Sequence, residues 1–500
     1  VIVNTIAQYT RTIINVCLAL YSTRLILSVL GQSDYGIYSV VAGVIAMLSF
    51  VTNALVITTQ RYLSFYHGKK DLSQVHSVFG NSWLLHLFIG IGVVVILSSL
   101  GPWITQDFLN IEATRKGAAL FVYFAAIIML FLTFITAPVR ALFIARENIV
   151  FISIVDVLDG VLKLSIAILV SRITYDHLIT YSALLSSISL FNLLAFAIYA
   201  AIKFPEFHIP TLKELDKTYI KGLSNFAGWT VYSTGCVIAR NQGISVILNL
   251  FYGTIVNSAY GIAQQVSGAV QFVSTSIINA MNPQIMKAEG AGDRKRMLHL
   301  SMIESKYAFL TMGLILIPVI VEMPEILIFW LGNVPEFATL FCRFVLIAYI
   351  MDQLTIGLTS ANQAIGKIRN YSLLISTIRL MTLPIAWGCL QLSLSPLWVM
   401  CSYLFVEMVI GIIRIPYMKH SAGLPVYIYI NKVYVHSILP IVGTFFAAYL
   451  IATNIQMPYR FMLTEFCSVC MGVVLVYFFS LEKEERAWIK THIDKIRKRK

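Results

Sequence analysis

A small set of ionisable side chains lies inside long apolar runs of this 500-residue chain. A charged side chain at the centre of a bilayer costs about 2.5–3.5 kcal/mol on insertion scales, so such groups usually face a bundle interior or a wet cavity. The chemistry open to them is ion pairing, anion binding or the relay of an ion. The set comprises Arg24, Asp156, Asp159, Lys163, Arg240, Arg343, Asp352, Arg379, Glu407 and Glu465.

Arg24 and Arg240 differ from the others because neither has a carboxylate three or four positions away. A guanidinium keeps its charge and offers forked donors, which suit a phosphate or carboxylate group of a substrate. We predict that both arginines are unpaired and bind substrate in a cationic cavity. The alternative is that each side chain snorkels to the membrane interface.

The acidic residues suggest either an ion relay or internal ion pairs. Asp159 and Lys163 are four residues apart, so they can pair on one helix face, with Asp156 one turn earlier. Asp352 and Arg379 fall at similar depth on consecutive predicted spans. For them a structural pair between helices is the first interpretation, and a relay is the second.

The elements that must position these residues are membrane helices. The chain is 58% hydrophobic and 12% charged, with a mean hydropathy of +0.79, whereas soluble domains are about one quarter charged. Continuous apolar runs of this length predict an all-α integral membrane protein. We predict about 14 spans: 6–30, 36–60, 78–101, 117–140, 149–171, 178–202, 223–250, 256–284, 305–330, 337–363, 371–391, 394–417, 433–453 and 459–480.

Most of the 37 Lys and Arg residues fall in loops after even-numbered spans, which predicts that both termini are cytoplasmic. Because the basic residues are spread among short loops, the net charge of +13 does not indicate a nucleic-acid partner. The predicted cytoplasmic segments are 61–77, 140–148, 203–222, 287–306, 364–370, 414–432 and the tail after 480.

A repeat divides the chain. The turn Gly31–Tyr38 contains Tyr-Gly-Ile, and the same three residues recur at Tyr260–Ile262. Six spans separate the copies, which predicts two six-helix bundles related by a pseudo-two-fold axis along the membrane normal. The predicted domains are a bundle at 1–202, a cytoplasmic linker at 203–222, a bundle at 223–420, an additional helix pair at 421–480 and a basic cytoplasmic tail at 481–500.

Enzyme signatures are missing from the sequence. It has no H-E-x-x-H, no phosphate-binding Gly-rich loop with Lys and no G-x-S-x-G. We therefore predict that the protein is not an enzyme and needs no cofactor or metal. Cys467 and Cys470 have the spacing of a redox motif, but within an apolar helix they are interpreted as small buried residues.

Arg24 followed by Leu30-Gly31-x-x-Asp34-Tyr35-Gly36-x-Tyr38, at the start of a two-half protein of fourteen spans, resembles one branch of a known superfamily. The branch is the polysaccharide transporters of the multidrug/oligosaccharidyl-lipid/polysaccharide exporters. Within it the chain is most similar to the Wzx-like O-antigen or capsule flippases.

The resemblance implies a flippase in the bacterial inner membrane. Such a protein moves an undecaprenyl-diphosphate-linked oligosaccharide from the cytoplasmic to the periplasmic leaflet by alternating access, with H+ or Na+ as a coupling ion. The implied partners are this lipid-linked glycan and membrane lipids. An ion-coupled multidrug or cation antiporter of the same superfamily is the alternative, kept open by Asp156 and Asp159. A membrane glycosyltransferase or polymerase is a weaker one.

Overall fold

All regular secondary structure in the described part of the chain is helical. Arg24 lies outside the described residues, as does most of the predicted basic tail. The computed structural model describes residues 7–8, 10–15, 17–18, 21–22, 25–26, 28–31, 34–35, 37–38, 48–108, 111–331, 334–482 and 485–486.

Helices of the first half begin at side chains that cap them. Asp71, Asn148 and Asp176 each accept a hydrogen bond from a backbone N–H of the first turn that follows, which satisfies donors that a helix cannot pair internally. The helices are α1 (Ser49–Gly68), α2 (Leu72–Trp103), α3 (Lys116–Ala145), α4 (Ile149–Val170), α5 (His177–Lys203) and α6 (Lys217–Gly290).

Helix α6 covers the predicted seventh and eighth spans and is kinked at Gly253, which has φ +74° and ψ −166°. Gly31 also has φ +74°, so both glycines have a positive φ, which favours glycine. The helices that follow are α7 (Arg294–Val321), α8 (Met323–Leu331), α9 (Ala338–Gln353), α10 (Ile356–Ile365), α11 (Ile368–Leu380), α12 (Thr382–Gln391), α13 (Leu397–Ala422), α14 (Val426–Tyr429), α15 (His436–Asn454) and α16 (Arg460–Leu475).

Within the described residues, eight helices are long and apolar enough to cross a membrane, or nine if the bent pair α9 and α10 forms one span. The prediction of a multi-pass helical membrane protein is confirmed. The count of fourteen spans and the two-fold symmetry stay predictions. Helix α4, which matches the predicted span 149–171, carries Asp156, Asp159 and Lys163.

The chain forms two compact units. The first comprises 1–235 and 282–293, and the second comprises 236–281 and 294–500. The domain limits predicted from the sequence, with a linker at 203–222, stay predictions.

Helix α3 lies at the centre of the first unit, packed against α1, α2 and α5. Tyr123 on α3 is fully buried, and its hydroxyl donates to the Leu97 carbonyl on α2 at 2.9 Å. A β-carbon at Gly101 would lie 2.8 Å from the Tyr123 ring, so the two helices require glycine there. This packing fixes the first part of α3 against α2, and Arg140 lies near the other end of α3.

In the second unit, the C-terminal helices α15 and α16 pack on α7. Small residues make this approach possible. A β-carbon at Gly313 would lie 2.2 Å from the Ile441 side chain, and one at Gly472 would lie 2.2 Å from Leu314. Membrane helices associate through such small residues, because lipid gives no hydrophobic drive for helix pairing.

Candidate functional site

Asp156 joins three elements of the first unit. Arg140 at the end of α3 donates to both of its carboxylate oxygens, at 3.0 and 2.7 Å. Arg11, in the helical stretch near the start of the chain, donates at 2.7 Å, and Asn15 donates to the Asp156 carbonyl at 3.2 Å. Two guanidinium groups therefore share one carboxylate. We call Arg11, Arg140 and Asp156 the first cluster.

One turn further along α4, Asp159 pairs with Lys163 at 2.7 Å, as the spacing predicts. Its other oxygen accepts a hydrogen bond of 2.7 Å from Asn192 on α5. Whether these carboxylates relay an ion stays a prediction, but the pairs themselves are present.

Three adjoining cavities lie beside these charges, inside the first unit. The central one, about 370 Å³, is lined by Asp159, Lys163 and Asn192 together with serine and threonine hydroxyls. A second, about 360 Å³, shares Asp159, Lys163 and Tyr38 with it. A third, about 260 Å³, shares Asn192 with it and reaches Arg140. Volumes of this order are typical of small-molecule sites, and the lining combines apolar side chains with these polar and charged groups.

The second unit holds a longer chain of alternating charges. Arg240 donates to Glu407, which also accepts two hydrogen bonds from Arg379, at 3.1 and 3.0 Å. Arg379 lies 3.6 Å from Asp352, and Asp352 accepts a bond of 2.7 Å from Arg414. We call these five residues the second cluster.

The second cluster is closed on itself. The side chains of Arg240 and Arg414 are each 4% exposed, and that of Glu407 is 6% exposed. The Arg240 guanidinium also lies over the Tyr403 ring, 4.2 Å from its centroid, and donates to its hydroxyl at 2.9 Å. In the first cluster, by contrast, Arg140 is 35% exposed.

The expectation that Arg240 is an unpaired arginine is wrong, because Glu407 compensates its charge from a helix 167 positions away. Its role in substrate binding stays a prediction and would require exchange of this bond. The interhelical pair of Asp352 and Arg379 is present at the longer distance given above. Arg24 was the other predicted substrate residue, and it lies outside the described residues.

Sequence reasoning missed Arg140 and Arg414 as members of these clusters because it assigned both to cytoplasmic loops. The structure places them inside α3 and α13. Charge balance could have indicated them. Asp156 and Glu407 are carboxylates within membrane helices, and the basic residues of their own helices do not neutralise them, so each requires a cationic partner from another helix.

Outside the spans, Glu206 binds the segment 203–222, the predicted linker, to the C-terminal ends of α1 and α3 within the first unit. Arg146 donates to both of its oxygens at 2.7 Å, and Nε2 of His67 lies 3.1 Å from Oε1. Burial raises the pKa of Glu206, but the bonds from His67 and Arg146 outweigh it and lower the pKa to about 2. The ring of His208, further along the linker, stacks on His76 of α2 with centroids 3.7 Å apart.

Within the described residues, no three His, Cys, Asp or Glu side chains are grouped as ligands of a metal ion would be. The two clusters offer electrostatic binding of an ion or a charged group, through guanidinium and carboxylate side chains.

Comparison with solved structures decides the fold. The chain matches a crystal structure of MATE in complex with MaD3S with a TM-score of 0.73 over 84% of this chain and 94% of that one, at 13% identity. It has the fold of the MATE transporters.

Two further structures give the same result. One is an outward-facing multidrug resistance MATE family transporter of the MOP superfamily (TM-score 0.70, 13% identity, 84% of this chain and 95% of that one). The other is a MOP superfamily transporter from Pyrococcus furiosus, in which reverse polarity of the binding pocket suggests a different function (TM-score 0.70, 12% identity, 84% and 95%). No protein-family model and no curated protein matches the chain.

Proposed function

We propose that the protein is an alternating-access transporter that moves an anionic lipid-linked oligosaccharide, such as an undecaprenyl-diphosphate-linked glycan, from the cytoplasmic to the periplasmic leaflet. The MATE-like fold supports transport as the general activity. The loop charges of the sequence support an orientation with both termini in the cytoplasm.

The observation that carries the substrate class is the charge balance beside the cavity of the first unit. Arg11 and Arg140 share one carboxylate, so one positive charge is left over. Arg140 lines the cavity, and a guanidinium can bind a phosphate oxygen pair through two parallel hydrogen bonds. A diphosphate is the group that this surplus would attract.

Asp159 and Lys163 balance each other and add no net charge, but they line the central cavity, which adjoins the one lined by Arg140. We propose that Asp159 takes part in ion coupling, with H+ or Na+ as the ion, by exchanging its bond to Lys163. Arg24 and Arg240 stay candidate substrate contacts from the sequence alone. Because substrate contact at Arg240 would require its bond to Glu407 to open, we place the anionic group at Arg140 rather than at Arg240.

A multidrug or cation antiporter is the second candidate, and two observations favour it. Asp159 offers a carboxylate in the cavity, and one structure of this fold is a multidrug resistance transporter. In the Pyrococcus furiosus transporter, the polarity of the binding pocket is what suggests a different function. If pocket polarity is used in the same way for this chain, the surplus positive charge of the first cluster favours an anionic substrate.

The test is transport by the purified full-length protein in liposomes. We expect transbilayer movement of a fluorescent polyprenyl-diphosphate oligosaccharide and no extrusion of a cationic dye when a proton or sodium gradient is imposed. Dye extrusion without glycan movement would establish the antiporter and overturn the proposal. A matched probe lacking the diphosphate, which we expect not to move, is the control for nonspecific lipid scrambling.

A further inference from the structure

Glu304 is a buried carboxyl group that belongs to neither cluster. It lies on α7 with none of its surface exposed. Oε1 accepts one hydrogen bond, from the Ser360 hydroxyl on α10 at 2.9 Å. Oε2 has no hydrogen-bond partner in the described part of the chain, and no described cation lies within ion-pair distance of either oxygen.

Helices α7 and α10 are in direct backbone contact beside Glu304. A β-carbon at Gly357 would lie 2.0 Å from the Ser301 carbonyl oxygen, so only glycine fits. The Gly357 amide donates to the Ser305 hydroxyl at 3.0 Å. The short helix α10 is therefore docked on α7 through two polar contacts, at Ser305 and at Glu304.

Helix α10 is the second member of the bent pair that it forms with α9. Its axis is bent by 47° from that of α9. Two hydrogen bonds stabilise the bend between α9 and α10. The Tyr429 hydroxyl donates to the Leu354 carbonyl at 2.6 Å, and Arg414 donates to the Thr355 hydroxyl at 2.9 Å. Helix α10 itself carries a buried polar atom without a hydrogen-bond partner in the described part of the chain, Nδ2 of Asn362.

An ionised carboxylate is unstable in such a place. Burial of a charge that is neither paired nor fully hydrogen-bonded costs several kcal/mol, and a protein group avoids this cost by becoming neutral. In neutral form Glu304 still accepts the bond from Ser360. The docked arrangement of α10 on α7 thus matches a protonated Glu304.

We propose that Glu304 is a proton-binding site, and that loss of its proton releases the short helix α10 from α7. The ion bound is H+, because a carboxyl with a single described hydroxyl partner lacks the several oxygen ligands that a metal cation requires. The site is distinct from the substrate cavity proposed above and does not depend on what is transported.

None of the described charged groups near α7 and α10 forms a bond to Glu304. On α7 itself, Lys306 pairs with Glu485 at 3.2 Å, and α10 carries no ionisable side chain. The other charged or titratable groups on α7 are Arg294, Lys295, Arg296, His299 and Tyr307. Those on elements packed against the two helices are Glu325, Cys342, Arg343, Tyr349, Asp352, Arg369, Tyr371, Arg379, Cys401, Tyr403, Glu407, Arg414, Tyr417, Lys419, His420, Tyr429, Lys432, Tyr434, His436, Tyr449, Arg460, Glu465, Cys467 and Cys470.

Infrared spectroscopy of the purified full-length protein tests the protonation directly. We expect a carbonyl stretch of a protonated carboxyl group at neutral pH that is lost in Glu304→Gln and shifted in frequency in Ser360→Ala. Glu465→Gln, which removes another carboxyl from a membrane helix, should leave that band in place. Spectra of Glu304→Gln and wild type that coincide in this region would overturn the proposal.

Hydrogen exchange tests the release of α10. After correction for intrinsic rates, raising the pH above neutral should increase exchange of the amides of 356–365 in the wild type. Glu304→Gln, which resembles the neutral acid, should hold this segment protected at every pH. The same rise with pH in both proteins would refute the coupling. If Glu304→Gln does not fold, the band shift in Ser360→Ala still decides the protonation.

Discussion

The first and second clusters each contain one more guanidinium than carboxylate groups, yet they differ in access. Arg140 of the first cluster lines a cavity and is 35% exposed, whereas Arg240 and Arg414 of the second are each 4% exposed. The same charge surplus can therefore serve two purposes. Where the groups face a cavity they can meet a ligand, and where they are closed on one another they stabilise helix packing.

The second cluster also shows why a membrane arginine is a poor predictor of a binding site by itself. Arg240 satisfies its donors with Glu407, Tyr403 and the side chain of Asn241. The sequence around Arg240 does not indicate the bond to Glu407, because helices α6 and α13 meet only in the folded protein.

The largest effect on stability is expected from Glu407→Gln. The substitution leaves the guanidinium groups of Arg240 and Arg379 without their shared carboxylate, and breaking a buried pair typically costs about 3–5 kcal/mol. Thermal unfolding in detergent should show a pronounced fall in the melting temperature. A melting temperature equal to that of the wild type would mean that the second cluster is not a structural element.

An intermediate effect, dependent on pH, is expected at Glu206. Its pKa is lowered to about 2 in the folded protein from about 4.3 in an unfolded chain. The stabilisation is therefore fully present above about pH 4.3 and is lost as the pH falls toward 2. Bonds to charged groups are worth about 1.5–3 kcal/mol each at most.

Cleavage of the linker by an acid-tolerant protease should consequently accelerate as the pH is lowered through this window. Glu206→Gln should show rapid cleavage already at neutral pH and a weaker acid response. Lys213→Met, which changes an exposed side chain of the same segment that does not titrate in this range, serves as the control. Identical acid responses of Glu206→Gln and wild type would show that another group fastens the linker.

The smallest effect on stability is expected at Lys163, which is 46% exposed and pairs with Asp159 on the same helix. Exposed pairs of this spacing contribute about 0.3–0.5 kcal/mol, so Lys163→Met should shift the melting temperature by little. If Lys163→Met lowers the melting temperature as much as Glu407→Gln does, the distinction between the accessible charges of the first unit and the closed second cluster fails.

The helical membrane class and the pairing of Asp159 with Lys163 could be predicted because both depend on local patterns. Apolar length determines spanning helices, and a spacing of four residues brings side chains together on one helix face.

Partners distant in sequence could not be predicted. Glu407 compensates Arg240, and Arg140 and Arg11 share Asp156, through contacts that depend on how helices pack. The predicted boundaries between loops and helices were a second source of error in the sequence-based assignment. Glu304 was counted in a loop that ended at residue 306, but helix α7 begins at Arg294 and buries it.

The central claim is that the cavity beside Arg140, and not the closed second cluster, meets an anionic ligand. The most direct test is the affinity of the purified protein for a short-chain polyprenyl diphosphate. We predict at least about a tenfold loss in Arg140→Gln, equivalent to about 1.4 kcal/mol, and tighter binding in Asp156→Asn, which enlarges the cationic surplus. The charge-neutral double variant Arg240→Gln with Glu407→Gln should bind as the wild type does. If Arg140→Gln binds with unchanged affinity and the double variant loses affinity, this account is contradicted, and Arg240 is the better candidate for the anion-binding residue.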